Sequence, residues 1–115
     1  MSTVATLETL FGGKAAARVL LYLENYDDGY ASQIARTYEM PLSEVQKQLA
    51  KFEDAGVLVS RSVGTSRVYS WNDRNAGLAG LRLLLRDTLD NGISEALREK
   101  YFLQRQRPRR KGKRF

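Results

Sequence analysis

No cysteine and no histidine occur among the 115 residues. That absence excludes disulfides, zinc fingers, thiol nucleophiles, imidazole acid–base chemistry and the usual transition-metal ligand sets. Only carboxylate chemistry remains, and the one visible acid pair, Asp27-Asp28 ahead of Gly29, reads as a turn. A phosphate-cradling G-x-x-x-x-G-K-S/T loop is missing too, since Gly12-Gly13-Lys14 lacks the spacing. No enzymatic activity and no cofactor are expected. Long apolar runs are equally scarce. Val19 to Leu23 is far too short to cross a bilayer, and the first thirteen residues do not read as a signal peptide. No membrane partner and a cytoplasmic location are the expectations.

What is present is charge, placed unevenly. The formal net charge is +6, from 19 basic and 13 acidic residues. Seven of the basic residues (Arg105, Arg107, Arg109, Arg110, Lys111, Lys113 and Arg114) fall in the last eleven positions, which hold no acid. Positions 1–104 therefore carry twelve basic against thirteen acidic residues, a net of −1. The body is nearly neutral and the tail makes the protein basic, so overall basicity says nothing about the body's surface. At this length the chain has room for one domain, with 43% apolar residues to fill its core.

Ala16, Val19, Leu20 and Leu23 recur at helical spacing and predict a helix from Lys14 to about Glu24, closed by Asn25–Gly29 as turn residues. A shorter helix is predicted from about Tyr30 to Tyr38, with Ile34 and Ala35 inward. Met40-Pro41 interrupts it. The next helix, about 43–55, places Val45, Leu49 and Phe52 on one stripe. Ser43 is its expected N-cap, with Gln46 returning the bond, and Gly56 its expected stop. Val57, Val59, Val63, Val68, Tyr69 and Trp71 then suit strands, with Gly64-Thr65-Ser66 as a hairpin tip. Beyond Ala76 the chain is rich in leucine as far as Leu89, breaks at Asn91-Gly92, and resumes a helical pattern from Ile93 to Leu103.

The fold class expected is therefore mainly α with a small β-hairpin (α+β), in the order of a winged helix-turn-helix with additional C-terminal helices. The winged part would span 1–75 with its wing at about 57–71. The C-terminal helices would span 76–104, forming core or dimer seam, and 105–115 would be a disordered basic tail. The stretch from Leu10 to Asn72 resembles the ArsR/MarR-type regulators. A closer likeness is to the winged-helix domains that precede small nucleotidyltransferase domains, whose connecting helices LRLLLRDTLDNGISEALREKY resembles. The transferase part is absent here. The metal-sensing members rely on Cys or His clusters that this chain lacks. In the family the positions of Gln46 and Lys47 are often both basic; here one is neutral.

The resemblance implies a sequence-specific DNA-binding transcriptional regulator, a homodimer on double-stranded DNA. A helix fits the major groove with its N-terminal residues nearest the bases, which makes Ser43, Glu44, Gln46 and Lys47 the leading readers and Lys51 a groove or phosphate contact. Arg61 and Arg67, with Thr65 and Ser66 at the tip, would hold the backbone or enter the minor groove. Ser32 and Gln33 would bond a phosphate. In the tail, Arg107, Arg109, Arg110, Lys111 and Lys113 would clamp phosphates or form a minor-groove arm; RNA or an acidic protein are the other partners that tail suits. Leu78, Leu81, Leu85, Leu89, Ile93 and Leu97 are the candidates for dimerisation. Bland readings stand beside these: Ser43 and Gln46 as helix caps, Lys47 and Lys51 as a solvated face, Arg61 and Arg67 as a cross-strand pair. A protein-interaction scaffold or an RNA-binding module is the alternative function.

Overall fold

The computed structural model describes residues 3–103, and the predicted tail contacts at Arg107, Arg109, Arg110, Lys111 and Lys113 lie outside them. Its centre is helix α2, Lys14–Tyr26, in which Ala16, Ala17 and every residue from Val19 to Glu24 are buried. The stripe read from sequence covers one side only. The other side is covered by α1 (Thr3–Phe11), absent from the sequence reading, and by α5 (Leu78–Asn91). A helix apolar on all sides needs such a second layer. Leu7 of α1 is fully buried, and Gly92 closes against Thr3, where a Cβ would lie 2.9 Å from the Thr3 Cβ.

The predicted turn at Asp27–Gly29 is a turn only at Asp27, whose φ is 75°. Asp28–Tyr30 form a strand, β1, which pairs antiparallel with β3 (Ser66–Trp71). Nothing in a three-residue segment signals this. Gly29 is required because a Cβ there would stand 2.7 Å from the Tyr22 ring. With β2 (Leu58–Val63) the sheet is antiparallel and three-stranded, in the order β1-β3-β2. The hairpin tip is the two residues Gly64-Thr65, of which Gly64 alone has a positive φ, 63°, the pattern of a type II′ turn. The molecule is thus mainly helical with a small antiparallel sheet.

Helix α3 (Ala31–Tyr38) follows β1 directly and reaches α4 (Leu42–Asp54) through Glu39, Met40 and Pro41. Glu39 takes φ 56°, and Met40 N–H returns to the Ala35 carbonyl at 2.9 Å, closing α3. The predicted cap at Ser43 is not used. Pro41 itself is the N-cap, its carbonyl accepting from Glu44 and Val45 N–H at 3.1 and 3.4 Å, and no side chain caps this helix. The ring fixes φ of Pro41 at −60° while its ψ of 135° keeps it outside the helix, and α4 begins at Leu42, one residue before Ser43. The stop at Gly56 is as read. Gly56 N–H reaches the Glu53 carbonyl and Val57 N–H the Phe52 carbonyl, the two bonds of a Schellman motif, with Gly56 at φ 81°.

After α5 come a single turn, α6 (Glu95–Leu97), and a π-helical turn, Arg98–Phe102. Asn25 Nδ2 donates to the Phe102 carbonyl at 2.9 Å and the Tyr26 hydroxyl to the Tyr101 carbonyl at 2.6 Å. Both tie the C-terminal turn to the end of α2. Glu24, buried on α2, holds α5: its carboxylate pairs with Arg82 at 2.8 Å and Arg86 at 3.5 Å. No helix among the described residues is long and apolar enough to cross a membrane.

Tyr38 carries a testable cost. It is buried with its ring against Tyr101 and Phe102, yet its hydroxyl has no hydrogen-bond partner among the described residues. Burial pushes the phenol well above its ordinary value of 10.0, the Arg18 guanidinium pulling the other way. The folded state therefore keeps this proton where the unfolded chain releases it. Stability from this source is complete below about pH 10 and is lost as pH rises toward the raised value. Tyr38→Phe is expected to gain about 1 kcal/mol by removing an unsatisfied buried group, and to unfold less steeply above pH 10. Urea titrations of both proteins at neutral and alkaline pH check both statements; equal alkaline slopes would remove Tyr38 as the cause.

Candidate functional site

Helix α4 buries Val45 and Leu49 and turns Ser43, Gln46, Lys47, Ala50, Lys51 and Asp54 outward. This outer face follows from the inner stripe, because residues three and four apart share a side. Lys51 Nζ lies 5.0 Å from the Phe52 ring centre, and Lys47 is exposed. Glu44 does not join this face. It is half-buried on the flank with Gln48, one turn on, and one carboxylate oxygen is enclosed without a partner among the described residues. The negative charge in the first turn complements the helix N-terminus instead.

Beside α4 lies a cleft of about 350 Å3, walled by Tyr30, Ala31, Ser32, Leu42, Gln46, Thr65, Ser66, Arg67 and Tyr69. Three separate stretches of chain meet there: the start of α3, the start of α4 and the hairpin tip. Five residues expected from sequence to touch a nucleic acid (Ser32, Gln46, Thr65, Ser66 and Arg67) line it together. Ser43, Lys47 and Lys51 stand on the exposed face of α4 next to it. Gln33 does not line the cleft; its Oε1 accepts from Tyr30 N–H at 2.9 Å and so serves the start of α3.

Arg61 and Arg67 are not a cross-strand pair. Arg61 stands opposite Val68 and Arg67 opposite Ser62, so the two arginines project from opposite faces of the hairpin. Arg67 Nη1 donates to Ser60 Oγ at 2.9 Å, and Ser60 donates to Glu53 Oε2 at 2.6 Å. This chain fixes the hairpin against the end of α4. The neighbouring Tyr69 phenol is pushed above its ordinary value by burial, then by Glu53, with Arg67 opposing, so it remains a proton donor.

Sequence reasoning missed Leu42, exposed at the mouth of the cleft, and Tyr69 on its wall. It also missed Arg36, exposed one helical turn from Ser32, which the i, i+4 spacing on α3 makes visible. Of the two readings of this leucine set, core or dimer seam, the buried positions take the core one. Leu78, Leu85 and Leu89 are buried within the chain, and Leu81 and Ile93 are partly buried against its core. Of that set Leu97 alone is exposed, at 38%. Leu78, Leu85 and Leu89 are inward because α5 packs on α2, which takes up that stripe. The outward face of α5 carries Ala79, Gly80, Leu83 and Leu84, with Leu83 71% exposed.

No protein-family model matches this chain, and neither a curated protein nor a solved structure matches it.

Proposed function

We propose that the protein is a winged helix-turn-helix, DNA-binding transcriptional regulator, with α3 and α4 as the helix-turn-helix and the β2–β3 hairpin as the wing. The observation that carries this reading is the meeting of Ser32, Gln46, Thr65, Ser66 and Arg67 in one cleft beside the exposed face of α4. Donors and acceptors that sequence alone scatters over 36 positions thereby form one continuous surface. Gln46 and Lys47 read bases, since Gln pairs with adenine and Lys with guanine in the major groove. Arg67, held by Ser60, sets the wing on the backbone, while Ser32 and Arg36 bond phosphate on the other side. The body's net charge of −1 leaves phosphate attraction largely to the tail.

The functional unit in this proposal is a homodimer paired through the outward face of α5, antiparallel about a two-fold axis. Gly80, in the first turn of α5, has nothing within 4 Å of its Cβ position, so another helix has room to approach. Antiparallel pairing also brings Asp87 and Asp90 of one copy toward the N-terminal end of the other α5, whose macrodipole is positive there. The two reading helices then lie about 34–36 Å apart on a palindrome.

Selection from random duplexes with the full-length protein tests the reading. One palindromic sequence is the expected product. On it, Gln46→Ala is expected to cost about 1–3 kcal/mol and to relax the preference at one base pair. Lys47→Ala is expected either to do the same or to lower the salt slope by about 0.9. Failure to recover or bind any duplex at low salt would overturn the proposal.

A further inference from the structure

Where β3 hands over to α5 there is a cavity of about 220 Å3, its walls including Ala76, Leu78, Ala79, Trp71, Asp73 and Arg82. A second, of about 190 Å3, adjoins it through the shared Trp71, Asp73 and Arg82 and is completed by Asp27 and Ser70. Neither shares a residue with the cleft beside α4. The two differ in character: the larger has an apolar side, Ala76, Leu78 and Ala79, facing the polar Asn72, Asp73 and Asn75, while two carboxylates and a hydroxyl line the smaller.

Trp71 stands between them. It is 5% exposed, and its indole N–H has no acceptor among the described residues. A buried donor left unpaired is a costly feature that an incoming acceptor relieves. Arg82 lies over the same ring at 5.1 Å and gives its Nε to Glu24 at 2.8 Å. That single bond leaves the terminal amino groups of its fork without an acceptor among the described residues. Asp27 and Asp73 make no ion pair among the described residues. The joint therefore places a buried unpaired donor, a solvent-reaching guanidinium, two exposed carboxylates and a recess with one apolar side next to one another.

We propose that these joined cavities bind a free α-amino acid with an apolar side chain. Its carboxylate accepts from Trp71 Nε1 and the Arg82 fork, its ammonium meets Asp27, Asp73 and Ser70, and its side chain fills the recess beside Ala76, Leu78 and Ala79. The larger cavity has the volume of about seven waters at roughly 30 Å3 each, room for a leucine or phenylalanine side chain. An amine without a carboxylate leaves Trp71 unpaired. A carboxylic acid without an ammonium faces two carboxylates.

Trp71 is the only tryptophan, so its emission and its single indole N–H resonance report directly on the site. The experiment titrates the full-length protein, without DNA, with leucine, phenylalanine, isopentylamine and 4-methylpentanoate. Saturable movement of the indole resonance by leucine or phenylalanine at millimolar concentration is expected. Both analogues should bind at least roughly tenfold more weakly, as should leucine or phenylalanine to Asp73→Asn or Asp27→Asn, each of which removes a charged hydrogen-bond partner. Asn keeps the size of Asp and tolerates the left-handed backbone at position 27. The proposal is overturned if neither amino acid moves the resonance, if an analogue binds as tightly as its parent, or if both folded variants bind like the wild type. Should a variant fail to fold, the analogue comparison still decides. Because no DNA is present, the result stands apart from the duplex selection.

Discussion

Removing residues 105–115 is expected to weaken duplex DNA binding roughly a hundredfold or more at low salt, and to flatten its salt dependence. The removed segment holds seven basic residues and no acid, and the remainder sums to −1. Each phosphate neutralised contributes about 0.9 to the slope of log K against log salt. If all seven are engaged, the slope should fall by about six between the full-length and shortened proteins. The preferred sequence should be unchanged, because Gln46 and Lys47, the proposed readers, remain in place on α4. Binding isotherms for both proteins at several salt concentrations measure this. An unaltered slope after truncation would show that the tail does not touch phosphates.

Replacing Leu85 by alanine is expected to cost about 2–5 kcal/mol of stability, the range for emptying a well-packed leucine site. Leu85 is fully buried between α5 and the rest of the chain, so the loss should not depend on protein concentration. Leu83→Glu is the contrasting change. Leu83 is 71% exposed, and its replacement should leave the stability of the single chain nearly untouched while dissociating the proposed dimer. Chemical denaturation at two protein concentrations, paired with sedimentation, separates the two roles. A loss of only a few tenths of a kcal/mol on Leu85→Ala would contradict the burial described here.

These two leucines show how far local reading reaches. The run from Leu78 to Leu89 announces burial on more than one side, but leaves open what covers each side. That choice belongs to α2, some sixty residues away, whose Glu24 draws Arg82 and Arg86 onto it and turns Leu85 and Leu89 inward. The candidate site divides similarly. Ser32, Gln46, Thr65, Ser66 and Arg67 were all legible as exposed polar residues at element starts or at a tip, and they line one cleft. Glu44 was legible as well, yet half-buried, because its side of α4 meets the body rather than solvent. Arg61 and Arg67 look equivalent around the tip until the pairing register assigns them to opposite faces.

What the sequence determined by itself is whatever depends on neighbours in the chain. The stop of α4 at Gly56 needs only a residue that accepts left-handed angles. The break before α4 needs only Pro41, the hairpin tip needs Gly64, and the charge imbalance needs only counting. Tertiary structure decided what depends on distant partners. β1 exists as a strand because β3 pairs with it and Gly29 lets the backbone approach Tyr22. The first helix matters because Leu7 closes the far side of α2. Ser43 lost its capping role to Pro41, two residues upstream, when the chain entered α4 early. Propensity acts over a few residues, whereas burial is settled by whichever surfaces meet, and the outward face of each element is what that meeting leaves over.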